Sequence, residues 1–506
     1  MSASRVLNTK KNIIWSYIDY AVTLAFQFVT RVIIIQTLGK EYLGLSSLYS
    51  SILSVLSMAE LGFSTAIIFN LYKPIADNDV DTVCALLAFY KKIYRIVGII
   101  ILIIGALIVP FLPNLIKGDY PTDISIYGLY CLYLLNAGIS YFMFAYKTAL
   151  LNALQRMDLI KIAYSIINIS QCIFQIVVLV LFRNYYLFVV GTIIGNVARN
   201  LLAAYFAKRK FPQYTCKGEV SKSLKAEIWK RVKGLLVSKI SSVTYTTFDN
   251  IILSSMRGLV SVAIYSNYLN IYNSIGKIIV LMRQAMQSSI GNSIAIESKE
   301  KNYKDVFTLQ FLFSIIAIWC AVFLLCLYQP FMKLWMGEDM LLSMVDVVLL
   351  CILLAVSTVQ HSFYLYLSGD GLWWEMRWPY ICSTVANLIM NVVFCRWWKT
   401  TGIILATVIA NTVFGLIWQS SIVFRNYFKK SNAAYMKKQL VFFVVGAIIG
   451  FISYSLCSMI SLEGIAELAY NALICAVVPP ACLYWVFRKT PEFIRSKQYF
   501  RRIIHK

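Results

Sequence analysis

The chain has 506 residues, of which 59% are hydrophobic and 14% are charged, and its formal net charge is +24. Soluble domains average roughly 45–50% apolar and about 25% charged residues, so this composition excludes a soluble protein and predicts an all-α polytopic membrane protein. The 12 cysteines form no C-x-x-C pair and only two histidines are present, so neither a metal site nor a histidine-based nucleophile is expected.

Apolar runs near the ~20 residues that a helix needs to cross a bilayer recur along the chain. The first run is long enough to span, so it is predicted to be a transmembrane helix and not a cleaved signal. The runs predict about 14 transmembrane helices, at 13–38, 42–70, 93–112, 124–146, 162–182, 185–206, 234–256, 260–286, 306–328, 346–367, 378–398, 402–424, 440–460 and 467–487.

The distribution of basic residues supports this topology. With the N-terminus in the cytoplasm and alternating spans, the inner segments together with Arg95 at a helix end hold 35 of the 47 Lys and Arg residues. The outer loops together with Arg396 at a helix end hold seven. This bias follows the positive-inside rule, and it predicts that both termini are cytoplasmic. The excess positive charge is therefore a topology signal, and a nucleic-acid partner is not needed to explain it.

One basic stretch, residues 208–233, divides the chain into six predicted helices before it and eight after it. The predicted domains are an N-terminal six-helix bundle at 1–207, a basic cytoplasmic linker at 208–233 and a C-terminal six-helix bundle at 234–430. Residues 431–506 are predicted to form two additional helices and a basic cytoplasmic tail.

An internal repeat at a constant offset of 219 residues relates the two bundles. Since six helices is an even number, both copies cross the bilayer in the same direction, which predicts a pseudo-twofold axis along the membrane normal. The matched pairs include Thr23 with Ser242, Gln27 with Thr246, Arg31 with Asn250, Gly39 with Gly258, Tyr49 with Tyr268 and Asn168 with Asn387.

Polar residues recur at steps of three and four on the first helix and on its repeat partner. At about 100° per residue, each set lies on one helix face. In lipid such a face must look onto protein or water, which predicts a central cavity between the bundles. The two stripes are Ser16, Asp19, Thr23, Gln27 and Arg31, and Lys239, Ser242, Thr246, Asp249 and Asn250.

Several motifs in order resemble Wzx-type O-antigen and capsule flippases of the MOP exporter superfamily, which is related to lipid II flippases and MATE transporters. The motifs are Arg31-Val-Ile-Ile-Ile-Gln-Thr-Leu-Gly39, Tyr42-Leu-Gly-Leu-Ser-Ser47, Glu60-Leu-Gly-Phe-Ser64, the basic loop 208–233, Asn387-Leu-Ile-Met-Asn391, Gly402 and Ala406-Thr407. The resemblance covers essentially the whole chain.

The resemblance implies two bundles around a cavity that opens to one side at a time, with two further helices for the lipid tail. The cargo would be an undecaprenyl-pyrophosphate-linked oligosaccharide, moved from the cytoplasmic to the periplasmic leaflet of the bacterial inner membrane. It implies no covalent chemistry. A polysaccharide polymerase and a chain-length regulator are the protein partners to expect, besides membrane lipids.

Two intramembrane lysines, Lys239 and Lys277, are predicted to bind the pyrophosphate in the inner half of the membrane. A charge at a helix centre costs about 2.5–3.5 kcal/mol on insertion scales, so such residues are usually kept for function. Lys277 shares its stripe with Asn270 and Ser274. The alternative interpretation is that the lysines extend to the interface.

Arg31 and Asp249 correspond within one residue under the repeat, in the outer half of the membrane. Arg31 would bind phosphate in an outward-open state while Asp249 restrains it otherwise, or the two would form a structural ion pair. Asp19 and Glu60 are candidates for H⁺ or Na⁺ coupling, because desolvation can bring a carboxylate to titrate near neutral pH. Their alternative role is as counter-ions to the lysines.

Two other functions are compatible with parts of the sequence. A multidrug or cation antiporter of the same superfamily would favour carboxylates and aromatic rings in its cavity. A membrane glycosyltransferase or polymerase would need a site in a large outer loop, and the longest such loop, 329–345, offers none. No G-x-x-x-x-G-K-[ST] motif occurs, so ATP is not expected to be the direct energy source.

Overall fold

The computed structural model describes residues 21–57, 63–118, 120–154, 156–460 and 462–504, and these residues are almost entirely helical with no strand. This confirms the predicted all-α class. The helices are α1 (Ala21–Thr37), α2 (Lys40–Leu56), α3 (Phe63–Ala76), α4 (Val80–Ile108), α5 (Ile126–Phe142), α6 (Ala145–Ala153), α7 (Met157–Val177), α8 (Tyr185–Lys210), α9 (Lys222–Arg257), α10 (Leu259–Ile296), α11 (Lys299–Met336), α12 (Met344–Asp370), α13 (Arg377–Ala410), α14 (Gln419–Val423), α15 (Ala433–Ser458), α16 (Ile465–Phe487) and α17 (Pro491–Ile504).

Among the described residues, eight helices are long and apolar enough to cross a membrane, or nine if α5 and α6 form one span with a 52° bend. The chain is therefore a multi-pass membrane protein. One of these stretches, 377–428, reverses at Lys399, whose φ is 53°. A Cβ on Gly402 would overlap the carbonyl group of Phe394, so glycine lets the chain fold back closely there. This reversal separates the predicted helices 378–398 and 402–424.

The predicted helix at 42–70 differs from the structure, in which α2 ends at Leu56 and α3 is described from Phe63. The run is predominantly apolar and Glu60 is its one charged residue, so its hydrophobicity alone carries no clear signal for a break. The short helix α6 and the terminal helix α17 were likewise not predicted as elements, because neither carries an apolar run of spanning length.

Residues Met1–Ala263 form one compact unit. Its core contains buried apolar side chains from α2, α4 and α5, and α9 packs against α2 and α3. Packing thus divides the chain within α10, later than residue 234. The functional partition into 1–207, 208–233, 234–430 and 431–506 stays a prediction.

Residues Ile264–Lys506 form the second compact unit. Its central helix is α11, which packs against α12, α15, α16 and α17. Phe311, Ile318 and Val322 of α11 meet Phe442 of α15 and Leu483 of α16 in a buried cluster. The two helices of the predicted 431–506 segment are therefore built onto α11. All 12 cysteines of the chain are free thiols.

Residues paired by the 219-residue repeat occupy similar local structures in the two copies of the repeat. Gly39 joins α1 to α2 with φ 120°, and Gly258 joins α9 to α10 with φ 90°. Both values favour glycine, which has no Cβ to clash. Tyr49 and Tyr268 are both fully buried, and each bonds the main chain near the start of a later helix, at Ile126 and Leu342.

Candidate functional site

Helix α2 carries a serine stripe that faces a cavity inside the N-terminal unit. Ser46, Ser50 and Ser54 follow one another at steps of four, so they share one helix face. The cavity has a volume of about 570 Å³ and is bordered on its other sides by α5 and α8. Its remaining polar lining residues are Ser57, Tyr133, Asn136 and Thr192.

A second cavity of about 420 Å³ shares Ser57 and Ala137 with the first. We therefore describe the two together as the polar crevice. The second part is lined from α4, α5, α6, α7 and α8 by hydroxyl, phenol and amide groups. These residues are Tyr90, Tyr94, Ser140, Tyr141, Thr148, Asn152, Tyr164, Asn196 and Asn200.

Asn196 is the centre of a hydrogen-bond network on one wall of the crevice. Its Nδ2 lies 2.8 Å from Ser140 Oγ and 3.1 Å from Asn136 Oδ1. Asn200 Nδ2 in turn donates to the Asn196 carbonyl oxygen at 2.9 Å. Amide side chains both donate and accept hydrogen bonds, so this wall can exchange its internal bonds for bonds to a ligand.

The crevice is electrically neutral at its lining. None of the lining residues that the structure describes is Asp, Glu, Lys, Arg or His. The polar groups are instead hydroxyls and amides, several of them still accessible, including the exposed Ser50 and Ser54. A cavity of this size and lining can admit water or a ligand with many hydroxyl groups.

Arg31, predicted as a phosphate contact, is connected to this crevice. Its half-buried side chain on α1 lies within electrostatic reach of Tyr185. The Tyr185 hydroxyl is 3.1 Å from that of Tyr133, which donates to Ser46 Oγ at 3.0 Å. Gln27, one turn earlier on α1, is exposed.

On α9, Asn250 and Asp249 lie inside the N-terminal unit. Asn250 Nδ2 donates to Ser51 Oγ at 2.9 Å, while its Oδ1 is buried with no hydrogen-bond partner among the described residues. The Asp249 side chain is also buried. Lys239 and Thr246 lie on α9, but the structure does not describe their side chains. Asp19 and Glu60 lie outside the described residues.

The predicted residues of α10 lie in the C-terminal unit. Lys277 is exposed and Asn270 is half-buried. Ser274 Oγ donates to the Asn270 carbonyl oxygen at 2.7 Å, so its hydroxyl proton is used within its own helix. Ser274 retains acceptor capacity for a ligand.

One interior cation, Arg199, is not among the predicted site residues. The half-buried Arg199 guanidinium of α8 donates to Asn168 Oδ1 at 2.7 Å and to Gln171 Oε1 at 3.0 Å, both on α7. Asn168 Nδ2 then donates to Thr23 Oγ1 of α1 at 3.3 Å. Arg199 therefore joins helices inside the bundle, next in sequence to the crevice residue Asn200.

The crevice itself was missed by the sequence interpretation, although a signal for it exists. Asn136 and Ser140 are four residues apart, and Thr192, Asn196 and Asn200 follow at steps of four. This is the same stripe pattern that was recognised on the first helix. The stripes on α5 and α8 contain no charge, so they lack the insertion cost that singled out Arg31 and Lys239.

Comparisons with known proteins agree with this architecture. A family profile described as polysaccharide biosynthesis protein matches residues 9–287, and one described as MatE matches residues 235–397. No curated protein sequence matches the chain.

Solved structures share the fold. An inward-facing multidrug resistance MATE transporter of the MOP superfamily superposes with a TM-score of 0.64 at 16% identity, covering 83% of this chain and 100% of its own. The lipid II flippase MurJ in an inward closed conformation superposes with a TM-score of 0.63 at 14% sequence identity. The match covers 94% of this chain and 98% of that structure. A MOP superfamily transporter from Pyrococcus furiosus superposes with a TM-score of 0.58 at 15% sequence identity. The match covers 84% of this chain and 96% of that structure.

Proposed function

Since the chain belongs to the polysaccharide biosynthesis protein family, we propose that it is a lipid-linked oligosaccharide flippase. Its substrate would be an undecaprenyl-pyrophosphate-linked repeat unit of O-antigen, capsule or exopolysaccharide. It would carry this lipid from the cytoplasmic to the periplasmic leaflet by alternating access. The observation that supports this substrate best is the neutral polar crevice of the N-terminal unit.

The lining of the crevice matches the chemistry of a glycan. Sugar hydroxyls donate and accept hydrogen bonds, as do the serine, tyrosine and asparagine groups on α2, α5 and α8. The two volumes, about 570 and 420 Å³, lie within the roughly 300–1,000 Å³ typical of small-molecule sites. We propose that sugar residues enter the crevice during transport.

The anionic pyrophosphate needs other partners. We propose Arg31, Lys239 and Lys277 as separate phosphate contacts, because fixed cations can replace its lost hydration in a low-dielectric setting. The neutral contacts proposed with them are Gln27, Thr246, Asn250, Asn270 and Ser274. Asp19, Glu60 and Asp249 are proposed for gating or for H⁺ or Na⁺ coupling.

The competing proposal is a multidrug antiporter, and the MatE profile match to residues 235–397 favours it. A cavity for cationic drugs would be expected to contain carboxylates that compensate the ligand charge. The described lining of the crevice contains none. We therefore prefer the glycan substrate, with the inner membrane as the location and polymerase and chain-length regulator as partners.

The test is Asn196→Ala, with Ile194→Ala as the matched control. Ile194 is on the same helix, but its side chain is 58% exposed and lines neither cavity. Each variant is expressed in a strain that lacks the chain. Loss of the Asn196 amide is expected to lower surface polysaccharide about tenfold, because several hydrogen bonds of about 0.5–1.5 kcal/mol are lost. Lipid-linked repeat units should accumulate.

Drug susceptibility is measured in the same strains. Normal export by Asn196→Ala at wild-type protein levels would contradict the role of the crevice. If the deletion strain exports normally but becomes drug-sensitive, the antiporter proposal replaces the flippase proposal.

A further inference from the structure

Three basic side chains line a separate cavity beside α4. Lys91, Lys92 and Arg95 surround a space of about 350 Å³ together with Ala88, Ile96, Ile99 and Cys216. This cavity shares no lining residue with the polar crevice. We refer to it as the basic pocket. It lies at the start of the apolar run that begins at residue 93.

Ring and backbone contacts hold the pocket in place. Lys91 Nζ lies 5.7 Å from the centroid of the Tyr146 ring, and so does Lys147 Nζ. Lys147 also donates to the Tyr214 carbonyl oxygen at 3.0 Å, which fixes the loop after α8 against α6. Burial raises the pKa of the Cys216 thiol, so this loop residue stays neutral and leaves the pocket positive.

No described carboxylate balances the positive charge of the pocket. In the described part of the chain, no carboxylate forms an ion pair with Lys91, Lys92 or Arg95, whereas three other lysines each pair with a glutamate. Clustered like charges repel one another, more strongly near a low-dielectric membrane than in water. An anion bound between them would offset this repulsion.

An apolar stripe leads away from the pocket along the same helix. Its side chains are 41–65% exposed and follow at steps of three and four, so they form one face. At 1.5 Å per residue the stripe is about 16 Å long, close to half of the ~30 Å hydrocarbon thickness. Its members are Ile96, Ile99, Ile100, Ile103, Ile104 and Leu107.

We propose that the basic pocket binds the phosphate headgroup of an anionic phospholipid, whose acyl chains lie along the isoleucine stripe. Basic pockets at the ends of membrane helices are suited to such headgroups. The combination of cations and an adjacent leaflet-long apolar face fits a phosphate that carries lipid tails better than a free phosphate. This site is independent of the flippase proposal.

The test measures lipid retained on the purified full-length protein by native mass spectrometry, with phosphatidylglycerol or phosphatidylcholine added. The variant Lys92→Gln/Arg95→Gln removes two pocket charges. Arg425→Gln/Lys437→Gln removes two exposed charges elsewhere. The pocket variant is expected to bind phosphatidylglycerol about 25-fold more weakly, at about fivefold per cation, and the control variant should bind like wild type.

Two further arms separate the sources of the phosphate. Ile99→Asn/Ile103→Asn should weaken phosphatidylglycerol binding, and inorganic phosphate at the same concentration should not displace the lipid. Equal binding of phosphatidylcholine, or unchanged binding by the pocket variant, would overturn the proposal. Tighter binding of undecaprenyl phosphate than of phosphatidylglycerol would also overturn it, because the pocket would then belong to the substrate path. Size-exclusion profiles verify that each variant is folded.

Discussion

The two units place their polar side chains in opposite settings. In the N-terminal unit, hydroxyls and amides border an open crevice. In the C-terminal unit, Gln310 Nε2 donates to the Tyr435 carbonyl oxygen at 2.9 Å and to Gln439 Oε1 at 3.0 Å, and all three residues are fully buried. The first set can meet a ligand, whereas the second joins α11 to α15.

This difference arises although the two copies of the repeat share local features. Gly39 and Gly258 adopt positive φ at corresponding helix junctions, and Tyr49 and Tyr268 are equally buried. The C-terminal unit, however, adds α15 and α16 to the face of α11. The added helices give polar groups of α11 partners within the protein. Similar polar residues are therefore open to a ligand in one unit and bonded to each other in the other.

The largest effect that tests the packing is expected from a pair of glycine variants. A Cβ on Gly44 of α2 would overlap the backbone carbonyl of Leu259, whereas a Cβ on Gly450 of α15 would touch Leu325 Cδ2 at 3.4 Å. Backbone cannot move aside as a side chain can, so Gly44→Ala should cost about 3 kcal/mol. Gly450→Ala should gain up to about 1 kcal/mol from helix propensity.

Thermal melting of the purified variants in detergent measures both effects. We expect the melting temperature to fall for Gly44→Ala and to stay or rise for Gly450→Ala. Equal melting temperatures would show that α2 does not approach Leu259 as closely as described. The repeat adds a comparison to this test, because the position that corresponds to Gly44 is the buried Ala263, where a Cβ is already present.

Much of the fold follows from the sequence because the hydrophobic effect acts on long segments. Apolar runs locate the helices, and the predicted break between residues 398 and 402 coincides with the reversal at Lys399. The end of α2 at Leu56 could not be predicted, because the predominantly apolar run continues beyond it to residue 70. Packing partners, such as α9 with α2, depend on contacts between distant segments that periodicity does not encode.

Charge directed the sequence interpretation to Arg31 and not to the neutral crevice. Arg31 lines neither part of the crevice, although it lies within electrostatic reach of Tyr185, whose hydroxyl is 3.1 Å from that of the lining residue Tyr133. The neutral wall around Asn196 carries no such cost signal. The position of Arg199 inside the bundle could not be predicted either, because its amide partners on α7 come from the tertiary fold.

A second pair of variants compares a sealed amide with a crevice amide. Gln439→Leu would leave Gln310 Nε2 with one acceptor fewer and Ser314 Oγ without the acceptor that now lies 3.3 Å away. Unsatisfied buried groups should make this change cost about 2 kcal/mol. Asn196→Ala should cost less than about 1 kcal/mol, because water in the crevice can replace the lost bonds.

The two variants should have opposite effects on melting temperature and on polysaccharide export. Gln439→Leu is expected to lower the melting temperature while the molecules that fold still export polysaccharide. Asn196→Ala is expected to lower export while the melting temperature stays close to that of the wild type. If both variants lose stability equally, the crevice wall is as sealed as the C-terminal network, and the proposed contrast between the units is wrong.

The smallest effects concern the repeat itself, in the variants Tyr49→Phe and Tyr268→Phe. The Tyr49 hydroxyl donates one hydrogen bond, to the Ile126 carbonyl oxygen at 2.9 Å. The Tyr268 hydroxyl donates to Gln329 Oε1 at 2.7 Å and accepts from the Leu342 amide at 3.2 Å. At about 1 kcal/mol per bond, plus the cost of the orphaned partner, Tyr268→Phe should destabilise by about 2 kcal/mol and Tyr49→Phe by about 1.

The order of these two melting temperatures tests how far the repeat extends beyond the backbone. Both rings are equally buried and both are kept as phenylalanine, so the two variants differ only in the hydrogen bonds that the lost hydroxyl made. A larger loss for Tyr49→Phe would mean that the first copy depends on this tyrosine more than its single bond implies. The expected order would show that the second copy kept the residue and strengthened its role in holding helices together.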